Sequence, residues 1–275
     1  MNFKTIILIG ALSLLAGEYI SAQNIVILHT NDTHSQIEPI RVGKGSGAGG
    51  VHRRAEYFSQ VKAQNENVLI LDAGDYNQGT PYFTVFNGDL EVELMNALGY
   101  DVVAIGNHEF DNGVEELARR LSKAKYKTVC ANYDFTGTPL EGLVEPYVIV
   151  NKGGKKIGII GLTINVRTLV SAQNREAIVY NDVYEVANKL AKRLKNEDKC
   201  DLVIALTHIG YSAYPNQVSD ISLAQKTANI DIIIGGHSHT FLKSERIYQN
   251  LKGEDVLILQ AGAQGEYVGR LDLEF

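Results

Sequence analysis

Gly106-Asn107-His108-Glu109-Phe110-Asp111 places a turn-permitting glycine, a neutral oxygen donor, an imidazole and two carboxyls within six residues. Asn107 can offer its side-chain oxygen to a cation, and His108 supplies a titratable group beside it. Asp111, three residues on, can hold that imidazole by one ring nitrogen. Taken alone, the hexapeptide is equally well explained as a polar loop with a helix cap at Asp111 or Asn112. Four other stretches change the balance. Asp32-Thr33-His34 spaces a carboxylate and an imidazole two apart, so that in extended backbone both point the same way and chelate one ion. Asp75 follows Gly74, which permits close backbone approach; Asp72, three residues earlier, is read as bracing that loop. Thr207-His208 and Gly235-Gly236-His237-Ser238-His239 add three more imidazoles.

The elements that must position these residues are apolar runs. Ile25 to Leu28, Val68 to Leu71, Val102 to Ile105, Leu202 to Leu206 and Ile230 to Ile234 each read as a buried strand, and each ends in one of the polar stretches. Between them Val51–Gln64, the segment carrying Leu90, Leu94 and Leu98, the one carrying Val114, Leu117 and Leu121, and Val183–Leu194 have helical spacing. The alternation predicts βαβ units, whose ligands gather at the carboxyl ends of the strands. The rhythm changes at Tyr147–Val150, Gly153-Gly154 and Lys156–Leu162, which predict a hairpin and a second layer of sheet. Thr80–Phe86 is read as irregular, and Asn132–Gly142 as a loop.

Asp32, His34, Asp75, Asn107, His208, His237 and His239 are seven candidate ligands. They serve two four-coordinate ions if one carboxylate is shared, and Asp75 is the natural bridge. Five of the chain's seven histidines lie in these stretches, whereas structural histidines would scatter; His29, on the strand side, is given a supporting role. Two divalent ions against two ligand carboxylates leave positive charge for a hydroxide and an anionic ester, which phosphate satisfies. Ions about 3.5–4 Å apart acidify a bridging water and stabilise the attacking and leaving oxygens of an in-line displacement. His108, with Asp111 fixing its tautomer, is placed to protonate the leaving alkoxide, and Asn107 and His108 to touch the substrate. The donor set suits Zn, Mn or Fe without choosing among them.

Composition narrows the class. Residues 1–22, with Lys4, the apolar run Ile6–Leu15 and the small pair Ser21-Ala22, have the order of a cleavable secretory signal, and Glu18 stands where a lipoprotein would need cysteine. The expectation is a signal peptide at 1–22 and one catalytic domain at 23–275, periplasmic or secreted, with no stable membrane anchor. A net charge of −6 without a basic patch argues against a nucleic-acid duplex as partner. Cys130 and Cys200 are permitted a disulfide in an exported chain, and two buried thiols are an equal reading. The glycine-rich stretch 42–50 lacks the spacing of a P-loop.

The order of motifs, Asp-x-His, Gly-Asp, Gly-Asn-His-Glu-Phe-Asp, Thr-His and Gly-Gly-His-Ser-His, resembles the calcineurin-like metallophosphoesterases, and within them the 5′-nucleotidase family. The resemblance implies an α/β fold, α+β in mixed-sheet terms, arranged as a four-layer αββα sandwich. It implies one metal on Asp32, His34, Asp75 and His239, a second on Asp75, Asn107, His208 and His237, and a catalytic pair in His108 and Asp111. It further implies a small phosphorylated substrate, a nucleotide, and phosphomonoester hydrolysis. Full-length members add a C-terminal domain that binds the nucleoside, and nothing in the chain up to Phe275 corresponds to it, so a separately encoded specificity domain is one expectation. A cyclic-nucleotide or nucleotide-sugar phosphodiesterase, and a metal-bound assembly subunit that is inert without a partner chain, are the alternatives.

Overall fold

A computed structural model describes residues 24–41, 43, 46–175, 178–212 and 217–275. The signal-peptide reading, and part of the glycine-rich stretch, lie outside these. The first half of the chain runs β1 (Ile25–Thr30), α1 (Val51–Gln64), β2 (Val68–Asp72), α2 (Pro81–Phe86), α3 (Asp89–Leu98), β3 (Val102–Ala104), α4 (Gly113–Leu121), β4 (Lys127–Val129), β5 (Tyr133–Asp134) and β6 (Val144–Glu145). The second runs β7 (Tyr147–Lys152), β8 (Lys155–Thr163), β9 (Val179–Tyr180), α5 (Val183–Asn196), β10 (Leu202–His208), α6 (Asp220–Lys226), β11 (Ile232–Ile234), β12 (Arg246–Gln249), β13 (Asp255–Leu259) and β14 (Gly269–Leu273).

Two six-stranded mixed sheets result, ordered β14-β1-β2-β3-β4-β6 and β12-β13-β11-β10-β8-β7. In the first, only β14 runs antiparallel to its neighbour; in the second, the outer strands β7 and β12 do. Strand periodicity explains how they stack. Ile25 and Ile27 of β1 face a core shared with Ile157 and Ile159 of β8 and Ile204 of β10, whereas Val26 and Leu28 face a second core built with α1, α3 and α4. On the far side Val203 and Ala205 pack under Val183, Ala187 and Leu194 of α5 and Leu223 of α6. Both sheets are therefore covered on both faces, which is the αββα sandwich. It also explains why the inner strands read as continuous apolar runs. Ile159 is fully buried in the layer between the sheets. Ile159→Ala is expected to cost about 2–5 kcal/mol, read as a lowered denaturation midpoint with unchanged slope.

The expected hairpin is present as β7 and β8, and it opens the second sheet. Thr80–Phe86 departs from expectation, for Pro81–Phe86 is a short helix with proline in its first turn. It buries no residue, so its sequence carries no apolar face to announce it. Gly88 caps α3 and Asn112 caps α4 without a side-chain hydrogen bond. Cys130 and Cys200 are both buried free thiols. Among the described residues no helix is long and apolar enough to cross a membrane.

Candidate metal centre

The chemistry-bearing residues emerge where parallel strands end. Asp32 and His34 follow β1, Asp75 follows β2, Asn107 and His108 follow β3, His208 closes β10, and His237 and His239 follow β11. The two rims are tied directly: His208 Nδ1 lies 2.7 Å from the Ala73 carbonyl, and His237 N–H donates to both Asp32 carboxylate oxygens at 3.0 Å.

Asp32 and His34 are not extended, as their spacing led us to expect. Asp32, His34, Asp75, His237 and His239 all have left-handed backbone, at φ 49°, 47°, 55°, 75° and 53°. Five of the seven candidate ligands thus occupy a conformation that non-glycine residues seldom adopt, at about 1–3 kcal/mol each. Left-handed residues break the strand direction sharply, and so a carboxylate and an imidazole two positions apart come together without a common pleat. The adjoining backbone leaves them room through glycine. A Cβ at Gly236 would lie 2.8 Å from His208 Nδ1 and 3.1 Å from Asp32 Oδ2, and one at Gly106 would run into Asp75 Oδ1.

Asp32, His34 and His239 form one group whose ligand atoms lie within 4.8 Å of one another, and Asp75, His208 and His237 form a second. A third, His34, Asp75 and His108, links them, sharing His34 with the first and Asp75 with the second. Within the first group His34 Nε2 and His239 Nε2 are 2.9 Å apart, and Asp32 Oδ1 lies 3.4 Å from His239 Nε2 and 3.9 Å from His34 Nε2. Two ring nitrogens aimed at each other share at most one proton comfortably, whereas a cation between donors satisfies both.

The second group poses the same demand. With Nδ1–H of His208 given to Ala73, its Nε2 presents a lone pair. That atom is fully buried and, among the described residues, lacks a partner of hydrogen-bond geometry, although Asp75 Oδ2 stands 2.9 Å away. Asn107 Oδ1 is likewise buried without a partner among the described residues. Burial disfavours a charged His208 ring, yet Asp75 beside it pushes the ring up to about 10. Burial would also raise Asp75, but the His208 imidazole holds it well below the usual carboxylate range. Both shifts express one requirement, a positive charge between these atoms. The orphaned acceptors and the nitrogen–oxygen donor set fit a divalent ion.

His108 is set apart by a carboxylate partner outside the candidate ligands, whereas His208 faces Asp75 and His239 faces Asp32. The His108 Nδ1 is engaged by Asp111 Oδ2 at 2.7 Å, and that hydrogen bond raises its pKa against the opposing effect of burial. By contrast, burial lowers His34, and lowers His237 to about 4. His108 and His239 lie on the open side, with side chains 31% and 50% exposed. The cluster is therefore walled from behind and open on the side of His108 and His239.

Asp72 braces its loop, since it accepts from Thr30 Oγ1 at 2.5 Å and from Gly74 N–H at 2.9 Å. His29 is buried against Gly269, and burial lowers it to about 4. Three residues were not singled out from the sequence. Asn31 donates to Asp32 Oδ2 at 2.6 Å while accepting from Ala261 N–H. Gln260 donates to the Gly236 carbonyl and accepts from Thr240 N–H, which fixes the loop bearing His237 and His239. Asn174 donates to the Asp111 carbonyl at 2.6 Å. Asn31 carried a signal, because it sits in the polar run that follows β1. Gln260 and Asn174 carried none, because their partners are distant in sequence.

The sequence pattern of the calcineurin-like phosphoesterases matches residues 25–241. The chain is similar to human 5′-nucleotidase, 36% identical over 278 residues, which span 92% of this chain and 47% of that protein. It is also similar to a snake venom 5′-nucleotidase of Naja atra, 37% identical over 91% of this chain and 50% of the relative. The structure superposes on a 5′-nucleotidase precursor from Thermus thermophilus with TM-score 0.83 and 36% identity, covering 92% of this chain and 51% of the other. The chain thus spans about half the length of these 5′-nucleotidases.

Proposed function

The chain belongs to the calcineurin-like phosphoesterase family, and from that we propose that it is an exported, dinuclear-metal phosphohydrolase cleaving phosphomonoesters in the manner of a 5′-nucleotidase. The observation that carries the reading is that Asp75 belongs to two ligand groups, one with His208 and His237 and one with His34 and His108, the last an imidazole already held by a carboxylate.

In this reading Asp32, His34, Asp75 and His239 hold one cation, and Asp75, Asn107, His208 and His237 hold the other. When bound, two such ions supply a hydroxide at neutral pH and neutralise charge on the attacking and leaving oxygens. The protein does the rest. Asn107, with its Oδ1 committed to the site, turns its amide N–H groups toward a phosphoryl oxygen. His108 Nδ1–H donates to Asp111, so Nε2 faces the substrate in its protonated form. As the ester P–O bond breaks, that proton passes to the departing alkoxide oxygen. Asp111 stabilises the imidazolium that donates and holds the ring in the orientation required. Asn31 and the His237 N–H fix the Asp32 carboxylate, so the ligands need little rearrangement during turnover.

A nucleotide substrate is supported by relatives named 5′-nucleotidase. Export is supported by the residue order of 1–22. Residues 23–275, loaded with manganese or zinc, are to be assayed against nucleoside 5′-monophosphates, an aryl phosphate and a cyclic nucleotide. Phosphate release from the monoesters, with the cyclic nucleotide left intact, is the expected result. Cleavage of the cyclic nucleotide alone would replace the reading with a phosphodiesterase. Silence on every ester with cations bound would replace it with an assembly subunit.

A further inference from the structure

We infer that Glu109 is a positioning residue that staples the two loops carrying Asp75 and Asn107 into the register a pair of cations requires. The inference rests on the proposed cation site, not on the reaction carried out there.

Glu109 lies in the short 3-10 turn His108–Phe110 and is fully buried. Among the described residues its carboxylate makes no hydrogen bond to a candidate ligand's side chain. It accepts four backbone N–H groups instead: Asp75 at 2.9 Å and Gly106 at 2.6 Å on Oε2, Tyr76 at 3.1 Å and Asn77 at 3.3 Å on Oε1. Three of these donors belong to the loop after β2 and one to the loop after β3. The exchange is reciprocal, because His108 N–H donates to Asp75 Oδ1 at 2.8 Å. The Glu109 carbonyl accepts from Arg120 Nη2 at 2.8 Å, which ties the turn to α4.

Two consequences follow from the chemistry. Asp75 has left-handed backbone, which the loop adopts only if its amides are held, and Glu109 holds that amide and the next two. A carboxylate is also the only side chain with two oxygens of paired acceptor sites and no donor, so four converging N–H groups select it. Glutamine at this position would keep the volume but turn an NH₂ toward amide hydrogens.

Cation titration and substrate kinetics of Glu109→Gln, against the parent protein, test the inference. Cation affinity is expected to fall about 10- to 100-fold, the range for residues that orient ligands without binding the ion. At saturating manganese kcat should fall while KM changes little. Parent affinity together with parent kcat would overturn the inference. Should the variant not fold, amide hydrogen exchange in the metal-free parent decides. Asp75, Tyr76, Asn77 and Gly106 amides are expected to be protected together with the adjoining strands. Exchange at the rate of open loop, while the strands stay protected, would overturn it as well. Cation affinity and amide exchange need no phosphoester substrate and decide the inference on their own, so absent phosphatase activity counts against the proposed function alone.

Discussion

Replacing His108 by alanine is expected to lower kcat by about 10²–10⁴-fold while both cations stay bound with parent affinity. The ring's Nδ1 is taken by Asp111 at 2.7 Å, and its side chain is 31% exposed on the open side of the cluster. It is therefore free to meet an ester oxygen, and removing it deletes a proton donor without deleting a ligand. The loss should be smaller for aryl phosphates, whose leaving groups need less protonation, than for alkyl or nucleoside esters. His108→Ala measured by phosphate release, with metal content read on the same sample, separates the two roles. Loss of a cation together with turnover would make His108 a ligand instead, as its grouping with His34 and Asp75 permits geometrically.

Asp75→Asn should have the largest effect on the cluster itself. The carboxylate joins two of the ligand groups, with Oδ2 facing His208 Nε2 and Oδ1 accepting from His108 N–H. An amide cannot supply negative charge to two ions. Cation stoichiometry is expected to fall, and turnover to fall at least about 10²–10³-fold, the scale for removing a group that stabilises transition-state charge. Asp72→Asn, three residues away, is the matched comparison. Asp72 is engaged by Thr30 and Gly74 rather than by imidazoles, so that variant should lose stability and keep its cations. Equal cation loss in both would mean that loop geometry, rather than a shared carboxylate, is what Asp75 provides.

The layers of this fold were legible because buried strands write themselves as apolar runs, and because polar residues arrive abruptly where each strand leaves the sheet. The α1 helix, Val51–Gln64, could be read with its observed bounds, since one face is apolar and glycine stands directly before it. The short helix Pro81–Phe86 could not, because nothing on it is buried. The strand Arg246–Gln249 is an outer strand of its sheet, paired on one side only, and its sequence lacks alternation.

Within the site, residue types and order identified which side chains meet, but not how. Asp32 and His34 converge through left-handed backbone, which a sequence does not announce at non-glycine positions. Gln260 reaches Gly236 across 24 residues, and Asn31 meets Gly262 across 231. Such contacts are properties of the folded topology. Glu109 was visible as a letter in the hexapeptide but not as a staple, because its four partners are backbone amides and carry no residue-specific signal.

If two cations sharing Asp75 turn this cluster into a phosphomonoesterase, metal and activity must return together. The most direct measurement strips the protein with chelator, returns manganese in increments, and follows bound metal and aryl phosphate hydrolysis side by side. Activity absent from the stripped protein, rising to a plateau at two equivalents per chain, is the predicted result. Full activity at one equivalent, or hydrolysis that persists after stripping, would contradict it.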